Sequence, residues 1–124
     1  MFFKIISAGT SGIEGYIVEV EADMTKGLPG FSLVGLPNAA VKESKERIKS
    51  AVCNSGFRYP NKKIIVNLSP ADIKKEGSHY DLAIALAILR EVENIAEEKF
   101  EDIAFIGELS LDGKLKPIKA CTAL

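Results

Sequence analysis

Apolar and polar residues alternate with a period of two through the first quarter of the chain. "FFKIISAG" (2–9) and "GYIVEVEADM" (15–24) read as two strands around the turn "TSGIEG". In the second, Ile17 and Val18 lead into Val20 and Ala22, which alternate with Glu19, Glu21 and Asp23. Such alternation turns one face of a strand to a core and the other to water. "TKGLPG" breaks the chain, and "FSLVGL" (31–36) is a third short strand. The period then changes. Val41, Ser44, Ile48, Ala51, Val52 and Ser55 fall on one stripe at helical spacing. Asn38 is positioned to cap this helix, and Gly56 to stop it.

"KKIIVNLS" (62–69) is rich in β-branched residues and reads as a central strand. In "KKEGSHYDLAIALAIL" (74–89), the apolar run Leu82–Leu89 predicts a helix buried on most sides, from about His79 to Val92. Ser78 stands at the N-cap position. Asp81, three residues on, approximates a capping box and places a negative charge in the first turn. "AFIGELSL" (104–111) is a further strand, turned by the Asp112–Gly113 pair into the returning strand "KLKP". The last residues, "IKACTAL", read as the first turns of a helix. One or two turns do not hold a helix alone, so the chain is expected to be a piece of a longer protein. The layered pattern predicts one α/β-layered domain over 1–124.

Composition narrows the class. With 124 residues, 47% of them hydrophobic, the chain is long enough to bury a core without metal or disulfide staples. A net charge of −1 creates no global field for nucleic acid or acidic lipid. No apolar run approaches a membrane span, and Lys4 interrupts the only N-terminal apolar stretch, so no membrane partner is expected. Cys53 and Cys121 lack ligand spacing; reduced thiols in a cytoplasmic protein are the expectation. The charge is uneven, however. Seven basic residues lie between Asn38 and Lys63 against Glu43 and Glu46, and six acids lie between Glu91 and Asp102 against Lys99. Lys42, Lys45 and Lys49 follow one another at helical spacing, and Lys62 and Lys63 could extend the row into a partner-binding surface.

Chemistry is harder to find. Ser78 beside a glycine and a buried element resembles a presented nucleophile; the nearest activators are His79, Lys74 and Lys75, and a Ser-His-Asp triad would have to use His79, the only histidine. Neighbouring residues on a helix point about 100° apart and would diverge. "GTSG" (9–12) and "GLPG" (27–30) lack the Gly-Lys-Ser/Thr ending of a Walker A loop. One histidine and two scattered cysteines build no zinc site. No catalytic residue and no metal ligand is assigned.

Three blocks together carry a resemblance. "KGLPGFSLVGLPNAAVKESKERIKSAV", "IIVNLSPADIKKEGSHYDLAIALAIL" and "FIGELSLDGKLKPIKACTAL" resemble the N-terminal, ChlI-like and Lon-protease-like domain of the bacterial magnesium-chelatase-like AAA+ ATPases, the YifB/ComM family. The resemblance implies an α+β fold, a two-layer α/β sandwich of the ribosomal protein S5 domain 2-like type, similar to the Lon proteolytic domain. It also implies a following AAA+ module that binds ATP and Mg2+, neighbouring subunits of a hexamer, and, in the ComM branch, ATP-driven DNA branch migration. Lys42, Lys45, Lys49, Lys62 and Lys63 would then meet DNA or a subunit. The alternative is a Lon-like Ser-Lys peptidase. Lon's nucleophile lies in a Lys-Asp-Gly-Pro-Ser-Ala-Gly pattern. Here the matching stretch "KEGSHYD" puts Ser78 at the proline and His79 at the serine position. The lysine expected five residues after Pro117 is Thr122, with Lys119 three residues early. Both halves of the dyad are missing from their places. The peptidase alternative would have to use Ser78 or Ser69 with Lys119 or another lysine.

Overall fold

The computed structural model describes residues 2–11 and 14–116. The tip of the first turn (12–13), the expected C-terminal helix, Lys119, Cys121 and Thr122 lie outside these residues. Strands β1 (Phe2–Ser11), β2 (Glu14–Thr25), β3 (Gly30–Val34) and β4 (Lys63–Ser69) form one sheet in the order β1-β2-β4-β3. β1–β2 and β2–β4 are antiparallel, and β3–β4 is parallel. A parallel pair needs a crossover. Helices α1 (Ala39–Lys42) and α2 (Ser44–Asn54) provide it. β4 leads to α3 (Asp81–Glu93), a 3-10 turn at Glu97–Lys99, and a small hairpin, β5 (Glu108–Leu109) with β6 (Leu115–Lys116).

The period-two residues face one another across the sheet. Val20 pairs with Ile5 on one side and Leu68 on the other, and Ala22 with Phe3 and Val66. All are buried, in one cluster with Ile48 and Val52 of α2 and Ile84 and Ile88 of α3. Ala83 and Ala87, fully buried, let α3 lie close on β1 and β2. The opposite sheet face carries Lys4, Glu19, Glu21, Ile65 and Asn67, with Asn67 donating to Glu21 at 2.8 Å. The architecture is therefore mixed α/β with helices covering one face.

Asn38 caps as expected: its side-chain oxygen accepts from the Val41 amide at 3.0 Å. The single predicted helix is broken at Glu43, however, and Ser55 lies exposed past the last turn. The predicted strand 104–111 is shorter than expected. Its first part runs beside β1, with the Phe105 amide donating to the Ile6 carbonyl at 2.8 Å and Ser7 Oγ donating to the Phe105 carbonyl at 2.8 Å. Only Glu108 and Leu109 pair within the hairpin.

The chain leaves β3 through Gly35 (φ 102°) and Leu36 (φ 57°), both in the left-handed half of backbone space. Lys75 holds this corner. Its amide donates to the Leu36 carbonyl and its carbonyl accepts from the Asn38 amide, both at 2.9 Å. Its fully buried ammonium donates to the carbonyls of Gly35, at 2.9 Å, and Pro70. Burial lowers the Lys75 pKa from its ordinary value. A Cβ at Gly35 would lie 2.8 Å from the Leu68 amide nitrogen and nearer still to its carbonyl. Gly35→Ala should therefore cost roughly 2 kcal/mol or more from strain and overlap. That corresponds to a fall of about 8 °C in melting temperature. Gly30→Ala, whose Cβ would meet only the Leu28 carbonyl oxygen at an ordinary 4.0 Å, should stay within about 0.5 kcal/mol. Equal melting of Gly35→Ala and the parent chain would refute this account of the corner.

Candidate functional site

The stretch that raised the catalytic question is knitted into the fold by other means. Helix α3 begins at Asp81 with Tyr80 at its N-cap, and no side chain caps it. Ser78 is not the cap. Its hydroxyl donates to the Glu108 carboxylate on β5, and so holds Glu108 below the usual carboxylate range. A local capping pattern lost to a tertiary partner. His79 Nε2–H donates to the Ala8 carbonyl at 3.0 Å, and the ring stacks on Tyr80 at 4.2 Å. Burial lowers the His79 pKa, which favours the neutral ring. Ser78 and His79 thus diverge to opposite partners. Backbone bonds finish the seam: Gly107 N–H to the His79 carbonyl at 2.9 Å, and Leu82 N–H to the Gly107 carbonyl at 3.0 Å.

Asp81 is not a cap either, although it does place its charge in the first turn. It is fully buried. Arg47 donates to it through Nε at 2.7 Å and through Nη2 at 3.0 Å, and the Leu109 amide adds a third bond at 3.1 Å. Arg47 Nη2 also reaches the Ala40 carbonyl at 3.1 Å. One carboxylate therefore joins α1, α2, α3 and β5. Burial pushes the Asp81 carboxyl up, against the pull of Arg47 and Leu109, while the hydrogen bond to Asp81 raises Arg47. Both directions follow from one geometry. The carboxylate has lost all its water, whereas the guanidinium side chain keeps 20% of its exposure.

The five candidate lysines are brought together only in part. Lys45 and Lys49 of α2 and Lys62 before β4 line one open groove of about 340 Å³, with Tyr59 and Asn61 on its other wall. Lys49 Nζ lies 5.7 Å from the centre of the Tyr59 ring. Lys62 is paired with Glu91, an acid from the stretch expected to face outward. Lys42 sits exposed across the break at Glu43 and does not line the groove. Lys63 is exposed beside buried Ile64, so strand alternation sends it to the open sheet face, away from Lys62. The expected continuous row is therefore a three-lysine groove with two outliers.

Among the described residues no serine hydroxyl is hydrogen-bonded to a lysine. The buried Lys75 is committed to carbonyls. Nor does any group of three or more His, Cys, Asp or Glu among them stand close enough to hold a metal. No helix among them is long and apolar enough to cross a membrane.

The family described as subunit ChlI of Mg-chelatase matches residues 20–124. The chain belongs to the ChlI family. It is 46% identical over 107 residues to the YifB protein of Escherichia coli, covering 86% of this chain and 21% of that protein. It is 40% identical over 114 residues to the competence protein ComM of Haemophilus influenzae, covering 92% of this chain and 22% of that one. A more distant relative is the Lon protease of Trichlorobacter lovleyi, 25% identical over 115 residues, 87% of this chain and 14% of the protease. This ChlI-family chain thus spans about a fifth of the length of YifB and ComM.

Sequence reasoning missed Arg47, Lys75, Glu108 and Tyr59. Arg47 was counted as a surface cation because four of its near neighbours are charged. The usable signal was Asp81 itself: a carboxylate opening a helix buried all round requires a cationic partner.

Two outcomes follow from this geometry. Arg47→Met leaves a buried carboxylate with one N–H donor and should cost about 3 kcal/mol at neutral pH. Without Arg47 the folded-state pKa of Asp81 rises further above its unfolded value. The penalty is therefore full above the folded pKa and shrinks as pH falls through it. Denaturant unfolding at pH 7 and pH 5 should show the smaller loss at pH 5; equal losses would show that removing Arg47 does not bring the Asp81 titration into this range. Ser78→Ala should shift the Glu108 pKa upward in an NMR titration and lower stability only where Glu108 is ionised, the loss fading as pH falls through its titration. A lost cap would instead lower stability by about 1 kcal/mol at every pH and leave Glu108 unshifted.

Proposed function

We propose that this chain is the non-catalytic N-terminal module of a magnesium-chelatase-like AAA+ ATPase. Its two-layer arrangement is then of the ribosomal protein S5 domain 2-like type, shared with the Lon proteolytic domain. The parent would be a hexameric, cytoplasmic, ATP-dependent DNA-remodelling helicase of the ComM type. ATP and Mg2+ would be bound by the AAA+ module, and this domain would contact that module, a neighbouring subunit or DNA. Membership of the family and the small share of YifB and ComM that the chain spans support the modular reading.

The observation that carries the non-catalytic half is the state of His79. It occupies the position of Lon's nucleophile, and its ring N–H is spent on the Ala8 carbonyl. The flanking Ser78 donates to a carboxylate that could accept its proton but is itself held well ionised, and a poor base results. Likeness to a Lon protease therefore supports a shared fold and not shared chemistry.

The chain alone should turn over no ATP and should not be labelled by a fluorophosphonate probe. Labelling abolished by Ser78→Ala would refute the non-catalytic reading. In the full-length parent, deleting residues 1–124 should impair ATP-driven branch migration while leaving nucleotide binding intact. Unimpaired branch migration would remove this domain from the remodelling function.

A further inference from the structure

We infer that the groove between α2 and the loop before β4 is a binding site for single-stranded nucleic acid, with phosphates at Lys45, Lys49 and Arg58 and a base against Tyr59. The inference rests on the reading of the lysine cluster as a contact surface and goes beyond it in naming the ligand and the residues.

Four observations carry it. First, the cations converge from separate elements. Lys45 and Lys49 come from α2 and Lys62 from the loop, so the groove is built by the fold and not by one run of sequence. Second, the site is elongated. A second groove, of about 360 Å³, shares Tyr59, Pro60, Asn61 and Lys62 with the first and adds Arg58. The two flank the 58–62 segment, and a path running past both suits an extended polymer better than a compact anion. Third, the local charge is opposite to that of the chain. The two grooves contain Lys45, Lys49, Arg58 and Lys62 against Glu46 and Glu91, whereas the chain carries −1 overall. Glu91 is already neutralised by Lys62, so Lys45, Lys49 and Arg58 stand against Glu46 alone and leave a net positive site for phosphate. Fourth, an aromatic ring stands among the cations. Tyr59 lines both grooves, and burial pushes its pKa up to about 12, so it stays a neutral phenol that can donate a hydrogen bond. Cations tracking a backbone with an aromatic side chain for a base is the arrangement that holds single strands.

The test is fluorescence anisotropy of a labelled 20-nucleotide oligothymidylate with the 124-residue chain, titrated from low to physiological salt. The expected result is saturable binding whose log K falls with log salt at a slope of about −2, as three phosphate contacts on a single strand require. Lys45→Glu with Lys49→Glu should abolish binding. Tyr59→Leu should weaken it about tenfold with the salt slope unchanged, since stacking is not a counterion effect. Tyr59→Phe should retain most of the affinity and, with its melting curve, controls for folding. No saturable binding by the parent chain overturns the inference. So does stronger binding to a duplex of equal length, or equal binding of heparin with no effect of Tyr59→Leu. If the wild-type chain binds no oligonucleotide, but Lys45→Glu with Lys49→Glu breaks assembly of the full-length protein, the groove is a subunit contact. In that case this inference fails while the modular reading stands.

Discussion

The bond between Asp81 and Arg47 is the constraint on which the helix layer depends. A carboxylate with no access to water is tolerated only if its oxygens are occupied, and here three donors occupy them. Those donors come from segments 34 and 28 residues away in sequence. Apolar packing alone would let α2 rotate or slide on α3 at modest cost, because Ile48, Ala51 and Val52 can meet small alanines in more than one way. The two-pronged guanidinium admits one geometry. The pair adds little net stability over a well-packed apolar substitute, but an unmatched half of it is expensive, so misregistered packings are penalised.

That same bond sets the direction of the groove. On a helix, residues two apart point about 200° from one another. With Arg47 turned inward to Asp81, Lys45 and Lys49 must both point away from α3, and they fall within about 40° of each other. They meet Tyr59 and Lys62 there because β4, parallel to β3, returns its leading loop to that end of α2. A buried structural pair thus places an exposed cationic cluster without touching it. Ser78, His79 and Gly107 serve the same seam, tying the entry of α3 to β1 and β5.

Elements set by a long periodic pattern were legible in the sequence, and those set by a single distant contact were not. Alternation in 2–9 and 15–24 and the β-branched run at 62–69 gave three strands, and the apolar run at 82–89 gave α3. Asn38 was read correctly because its partner, the Val41 amide, is local. Ser78 was misread because the same kind of signal competed with Glu108, 30 residues away. A charged residue in a charged neighbourhood looks solvated, which hid both Arg47 and the buried Lys75. The lysine cluster was half visible. Helical spacing found Lys45 and Lys49, but the break at Glu43 and the change of face between Lys62 and Lys63 depend on where helix and strand begin, the feature a pattern fixes least.

The separation of charge between the two layers gives the molecule a direction. Glu19, Glu21 and Asp23 lie on the open sheet face with Lys4 and Lys63 among them, and Lys4 and Asn67 are already engaged by Glu19 and Glu21. A polyanion approaching that face meets carboxylates spaced two residues apart along one strand, and within about a Debye length their repulsion is not screened. The edge of the helix layer offers the reverse, cations with one aromatic ring. One surface is the open face of the sheet, and the other is built by α2 and the 58–62 loop. A chain with almost no net charge can therefore still present a polyanion with one favourable approach and one unfavourable one. What the −1 total excludes is long-range attraction, not local contact.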